Sequence, residues 1–478
     1  MSQERGRART RRRFLQTAVC AAGVSFAGCS NDDDPKSTDN LDTDSTQRTE
    51  FEPTRPTPGS DESVQTPEQL HPLADEYETA IDVVTAGVDP NAEASLRDQL
   101  GDLGRDVLLY FPEGAYLIDG SWDLSAFDRL AMVGDGATLV PPDGYRGTLF
   151  YFGNERETSS FRLEGVTFDF SAEGTGPRPM NVQVTDEIRL RDVEVQGPTR
   201  GVRFDITDPD GTGEIKQLQL TDGGLPGANA VGCLVTPKNR GELVFEDCTI
   251  TGFPNNGLYI SPSQGPVSVV GGRYANNGIA SVRVSGPCTV KDVTVECDRA
   301  PDGFLNMRGI WVRGGNCSIE GCDVQMTDLT YSDAAVVGAW RGAINDTRIR
   351  VDTDDVPALS IRPDDQTHPS DAGDELGIDC TDVDIEGAAA NTTAVHVTDY
   401  ESCTFERVTV KQDGDNRDGF YLIRSDGSVI RDSVIDVTGK PIRLENTTIE
   451  RINVQTGSSG DDGEQTDTPT PVRESPVR

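Results

Sequence analysis

Residues 288–295 read CTVKDVTV, and the same cadence returns as FRLEGVTF at 161–168, IRLRDVEV at 188–195, LVFEDCTI at 243–250, CSIEGCDV at 317–324, CTFERVTV at 403–410 and SVIRDSVI at 428–435. Each copy runs apolar, any, apolar, any, Asp or Gly, small or apolar, any, apolar. With the fifth position as a marker, the series is Gly165, Asp192, Gln217, Asp247, Gly271, Asp292, Gly321, Asp346, Asp382, Arg407, Asp432 and Arg451, at spacings of 27, 25, 30, 24, 21, 29, 25, 36, 25, 25 and 19. Alternation with a period of two predicts β-strands, and a near-constant period in the twenties predicts one solenoid coil per repeat. A further strand follows the markers, as in NGLYIS (256–261), RGIWVR (308–313), AVHVTD (394–399) and GFYLIR (419–424), with no helical period between.

Outside the repeats the chain changes character. Of 478 residues, 43 are Lys or Arg and 81 Asp or Glu, a formal charge of −38. A charge of that sign excludes a conventional nucleic-acid binder, which needs a basic footprint. No apolar run reaches the 18 or so residues of a membrane-spanning helix. Only six of the basic residues are Lys, and the acids are spread over the whole length. That texture resembles proteins of salt-in halophiles of haloarchaeal type, where a carboxylate shell keeps a protein hydrated in salt that screens other charge.

Residues 1–29 read as an export signal. TRRRFLQ at 10–16 resembles the twin-arginine consensus, an apolar stretch runs from Phe14 to Ala27, and Phe26-Ala27-Gly28-Cys29 resembles a lipobox. Cys29 is therefore the expected lipidation site, which places the protein on the outer face of the cell membrane, its only membrane contact being the lipid anchor; the alternative is an extracellular protein cut nearby and released. Cleavage there removes six arginines and one glutamate and leaves −43. Residues 30–76 are rich in Asp, Ser, Thr and Pro and are expected to be a disordered tether, and 458–478 a disordered tail, because neither stretch can bury enough to offset chain entropy.

Between these ends, residues 77–457 resemble the right-handed parallel β-helix of the pectin lyase-like superfamily. The opening resembles it too: Asp89-Pro90-Asn91, then AEASLRDQLGDLG as a short N-terminal capping helix, then VLLYFPEGAYLI as a first strand. The expected fold is all-β, a solenoid of about twelve coils, on the order of 60 Å long at about 4.8 Å per rung. Leucine-rich repeats, the main competitor, lack support because their Leu and Asn spacing is absent. Cys288, Cys317 and Cys403 sit four residues before a marker, and Cys248 and Cys322 directly follow one, so they are expected as buried rungs. A bridge between Cys288 and Cys317 stays open. No metal site is expected, since no Cys pair lies near a His at zinc-like spacing, and no cofactor is predicted; the resemblance admits Ca2+.

Function is expected on outward positions of the further strands. These carry Tyr259, Arg283, Trp311, Arg313, Trp340, Arg341, Arg362, His396, Tyr421, Arg424 and Arg443. An aromatic and guanidinium stripe suits sugar rings and their carboxylate or sulfate groups. The competing reading is that these Arg residues neutralise carboxylates rung by rung, as Asp399 and Arg424 would, each seventeen residues past its marker. His396 and Tyr421 both lie fourteen past a marker, so they should be neighbours on adjacent coils. With Arg362 or Arg443 they could supply the base, acid and cation of uronate β-elimination. Hydrolysis would instead need two carboxylates, for which Asp364, Asp365 and Asp333 are candidates.

The chain departs from the superfamily's enzymes. It has no Gly-His-Gly, Arg348-Ile349-Arg350 is a faint echo of the Arg-Ile-Lys of polygalacturonases, and the clustered Asp and catalytic Arg of pectate lyases have no assignable positions. The resemblance therefore carries fold rather than activity, and makes acidic polysaccharide or glycan the leading partner class. Three readings stand: a tethered polysaccharide lyase or hydrolase, a non-catalytic binding or adhesion module, and a structural spacer. Sequons at Asn316, Asn345, Asn391 and Asn446 bear on the last, since glycans on the stripe side would favour it.

Overall fold

The marker residues are explained by backbone geometry. In a computed structural model, Asp192, Gln217, Asp247, Asp292, Asp346, Asp382, Arg407 and Asp432 all have φ between +47° and +55°, and Gly165, Gly271 and Gly321 between +63° and +65°. Such left-handed residues turn the chain sharply, and Asp, Asn and Gly tolerate them best. Glycine has a second reason at two corners. A Cβ on Gly271 would lie 2.4 Å from Asp247 Oδ1, and one on Gly321 2.2 Å from Asp292 Oδ1, so the corner one coil back occupies that space. The last marker is corrected: Asn453, at φ +50°, holds the corner that the sequence pattern gave to Arg451.

The described residues are 71–457, apart from 102, 126, 154–157, 300–306, 330, 339 and 364–376. They form a parallel β-solenoid of about fourteen turns. Strands on either side of each corner, such as Cys288–Lys291 and Thr294–Cys297, stack into a first and a second face that share one 26-stranded sheet. The further strands, such as Arg308–Val312, stack into a third face of thirteen strands. Every pairing is parallel, and beyond shifts near Asn91–Ser95 and between Val133 and Ala137 the rungs are in register, so Cys288 lies on Cys317 and Val290 on Ile319. Inward residues from all three faces merge into one apolar core running from Val83 to Val437. The coil count exceeds the sequence expectation because the first coils turn without a marker, through segments such as Gly114–Leu117 and Arg129–Val140.

The expected capping helix shrinks to one turn. Asn91–Ser95 is a strand and only Leu96–Leu100 is helical, ending at Gly101 with φ +64°. The Asp89 carboxylate accepts from the backbone N–H groups of Asn91 (3.1 Å) and Glu93 (2.6 Å), bending the chain into the strand that pairs with Gly114–Leu117. Thr79–Asp82 pairs with Asp106–Phe111, so VLLYF is not the first rung. The sequence reading puts His71–Glu76 in the tether, yet Ala74 is buried, and Leu73 and Tyr77 cover Leu108, Ala131 and Val133 on the outside of the sheet. The signal, Cys29, Asp364, Asp365 and the tail lie outside the described residues.

Eight cysteines are buried and free, including the in-register pair Cys288 and Cys317, which is not bridged here. Burial pushes the thiol of Cys288 up to about 12 and that of Cys322 to about 11.

Candidate functional site

One column of outward positions climbs the third face: Tyr151, Asn181, Arg203, Leu234, Tyr259, Arg283, Trp311, Val337, Ser360, His396, Tyr421 and Arg443, each paired with the next. Parallel rungs about 4.8 Å apart oblige the side chains of such a column to stack on one another.

They stack in two groups. In the first, the Arg283 guanidinium lies 4.3 Å from the Tyr259 ring centre and 4.2 Å from that of Trp311. Arg308 stands 4.2 Å and Arg313 5.3 Å from the same indole. In the second, His396 and Tyr421 are stacked at 5.5 Å with planes 12° apart, and Arg443 lies 4.1 Å over the other face of Tyr421. The small side chains of Val337 and Ser360 separate the groups.

Elsewhere the cations behave differently. On the first and second faces the bonding is rung-by-rung ion pairing: Arg191 Nε to Glu214 at 2.9 Å, Lys291 to Glu320 at 2.9 Å, Arg407 Nε to Asp382 at 2.7 Å. Arg424 Nη2 likewise donates to Asp399 at 2.7 Å, which holds that carboxyl below the usual carboxylate range. Arg424 thus belongs to the neutralising set. Arg283 and Arg443 stack on rings, contacts of about 0.5–2 kcal/mol each.

Two of the predicted stripe residues lie elsewhere. Trp340 is 1% exposed and packs in the core, where the Tyr400 hydroxyl donates to its carbonyl; Val337 takes the stripe position on that coil. Arg341 belongs to the first face, in the strand Arg341–Asn345. The offset from corner to column position differs between neighbouring coils, 19 residues from Asp292 to Trp311 and 16 from Gly321 to Val337, so counting without a strand boundary lost the phase.

Asp333 joins the groups from below. It pairs with Arg308 and, at 3.4 Å, with Arg362, and accepts from the Tyr331 hydroxyl at 2.9 Å. Arg362 is exposed and close enough to act on His396. Burial first, and the Arg362 charge second, lower the imidazole pKa, so His396 is a neutral base at pH 7. Its Nε2 shares a hydrogen bond with Thr398 Oγ1 at 3.0 Å. The Tyr421 hydroxyl donates to Glu445, which raises its pKa and directs the proton away from His396. Arg308 and Glu445 were not singled out from the sequence, although each lies within three residues of a stripe position and register alone would have placed it. Among the described residues no group of three or more His, Cys, Asp or Glu is placed to hold a metal ion.

No protein-family model and no curated protein matches the chain. Among solved structures, it is similar to the A-module of the Azotobacter vinelandii mannuronan C-5 epimerase AlgE6, at 13% identity over 79% of this chain and 99% of that one, with a TM-score of 0.42. It is also similar to PfbA, a surface adhesin of Streptococcus pneumoniae (14% identity, 79% of this chain, 92% of that one, TM-score 0.37). A third is the catalytic unit of a GH87 α-1,3-glucanase from Streptomyces thermodiastaticus (13% identity, 80% of this chain, 64% of that one, TM-score 0.36).

Proposed function

We propose that the third face binds an acidic polysaccharide, with Arg313, Arg362 and Arg443 meeting its carboxylate or sulfate groups and the ring edges of Tyr259, Trp311 and Tyr421, the first two braced by Arg283, lining its path. The observation that carries this reading is the run of stacked rings and guanidinium groups along one face, with Arg283 between Tyr259 and Trp311 and Arg443 over Tyr421. A guanidinium stacked on an aromatic face, as the exposed Arg443 is on Tyr421, keeps its N–H donors in the plane of the group, the geometry that bidentate anion recognition uses. Titration calorimetry with uronate oligomers against neutral oligosaccharides separates the cases. Trp311→Ala and Arg443→Ala should each weaken uronate binding about tenfold, while Arg407→Ala, whose ion pair lies on another face, should not. Equal affinity for neutral and acidic chains refutes the proposal.

A catalytic reading rests on His396, a neutral imidazole beside Arg362. In a β-elimination the base would take the C5 proton of a uronate whose carboxylate Arg362 neutralises, the C4–O bond would break to leave a C4–C5 double bond, and the departing oxygen would take a proton from solvent. Absorbance of unsaturated product in high salt measures it. If the protein is a lyase, His396→Ala loses product while binding persists; if the wild type gives none, the face is a binding or adhesion surface. Export by the twin-arginine route and anchoring through Cys29 would present this face outside the cell, and loss of membrane association in Cys29→Ser checks that placement.

A further inference from the structure

The two ends of the solenoid are finished differently. At the N-terminal end, Leu96 and Val88 are buried over the first coil. At the other end Val437 is the last buried residue, and none of residues 438–457 is buried. The final coil, with strands Ile442–Glu445, Ile449–Ile452 and Gln455–Thr456, pairs only with the coil before it among the described residues. Its far edge is a row of backbone donors and acceptors of the kind that recruits another strand. Leu444 (36% exposed) and Ile452 (43%) are two of the three large hydrophobic side chains exposed in the described chain, and both are here.

The charge of this coil points to its occupant. Residues 438–457 carry Lys440, Arg443 and Arg451 against Glu445 and Glu450, a net +1 on a chain of −38. On a chain of −38, most surfaces of two copies would oppose acid to acid, whereas this coil carries a slight excess of base. The residues that follow, 458–478, hold only Val472 and Val477 as large apolar side chains, with three prolines, so they are a poor covering for Leu444 and Ile452.

We propose that this coil is the contact through which two copies of the chain meet end to end about a two-fold axis. A two-fold sets the edge strands of the copies antiparallel, so each row of N–H and C=O groups meets its complement, and the contact closes at two copies. Leu444 and Ile452 are covered in the same step, and Arg443 and Arg451 of one copy can stand opposite Glu445 and Glu450 of the other.

Sedimentation velocity of the full chain over a roughly hundredfold concentration range decides it. The expected result is a reversible monomer–dimer equilibrium whose dissociation constant rises at least tenfold in both Leu444→Glu and Ile452→Glu. Thermal unfolding of each variant should match the wild type, since both side chains are exposed. Tyr331→Glu, at the third exposed site, should leave the dimer intact. A monomer throughout the range, a dimer indifferent to both end substitutions, or assembly beyond two copies overturns the proposal.

Discussion

Arg417→Met removes a buried cation that straps three coils together. The Arg417 side chain is 0% exposed, and it donates from Nε to Gln412 Oε1 at 2.7 Å, from Nη1 to the Asn391 carbonyl at 2.9 Å and from Nη2 to the Val356 carbonyl at 2.9 Å. Burial lowers its pKa from the ordinary arginine value to about 10, against the pull of Asp354 and Asp355, so it stays charged at pH 7 at a cost of roughly 3.5 kcal/mol at about 1.4 kcal/mol per unit. Hydrogen bonds to a charged group contribute about 1.5–3 kcal/mol each, so three of them give roughly 5–9 kcal/mol and a net stabilisation of about 2–5 kcal/mol. Methionine fills similar volume but leaves two turn carbonyls and Gln412 Oε1 without donors. For a body of about 380 residues, that loss lowers Tm by roughly 3–6 °C. Circular dichroism melts of wild type and R417M in matched salt measure the difference. Equal or higher melting of R417M refutes the reasoning, because it means desolvation cancels the three bonds, as it does in many buried ion pairs.

His396 should titrate below 6.5 by NMR, and Arg362→Ala should raise it only part of the way, since burial is the larger cause. With the folded pKa depressed, the unfolded chain binds more protons between that value and 6.5, so this group's contribution to stability falls as the solution is acidified through the window; a midpoint at or above 6.5 contradicts the site geometry. At the corners, Asn453→Ala should cost about 1–2 kcal/mol in urea denaturation and Arg451→Ala almost nothing; the reverse order would restore the register read from the sequence. None of the eight described cysteines should react with iodoacetamide at pH 8 in the native protein, and all should after denaturation. Native labelling would show that the thiol rungs are accessible.

Most of the architecture was legible because parallel winding leaves a simple trace. Alternation marks the strands, and the left-handed corner selects Asp, Asn or Gly once per coil, which is why CTVKDVTV could be matched to its relatives down the chain. The pairing of Asp399 with Arg424 followed from counting alone, since both sit at the same distance past a corner. Reading failed where the count lacked an anchor. The distance from corner to outward position varies from coil to coil, and the Trp340 indole was placed outward although it fills the core. Arg451 was taken for a corner because the final repeat is degenerate, its inward place above Ile430 held by a charged side chain. The segment Ala92–Gly104 has helical periodicity, yet pairing with Gly114–Leu117 wins over helix propensity for its first half. The stacking of Arg283 between rings needed coordinates, because a sequence shows which residues share a column but not how their side chains pack on one another.

Six of the corners are aspartates: Asp192, Asp247, Asp292, Asp346, Asp382 and Asp432, each left-handed and each facing water. The winding thus offers, at each such corner, a place where one residue type both tolerates the left-handed backbone and puts a carboxylate in water. Surface acidity can therefore be adjusted by exchanging Asp, Asn and Gly at these points without disturbing the interior.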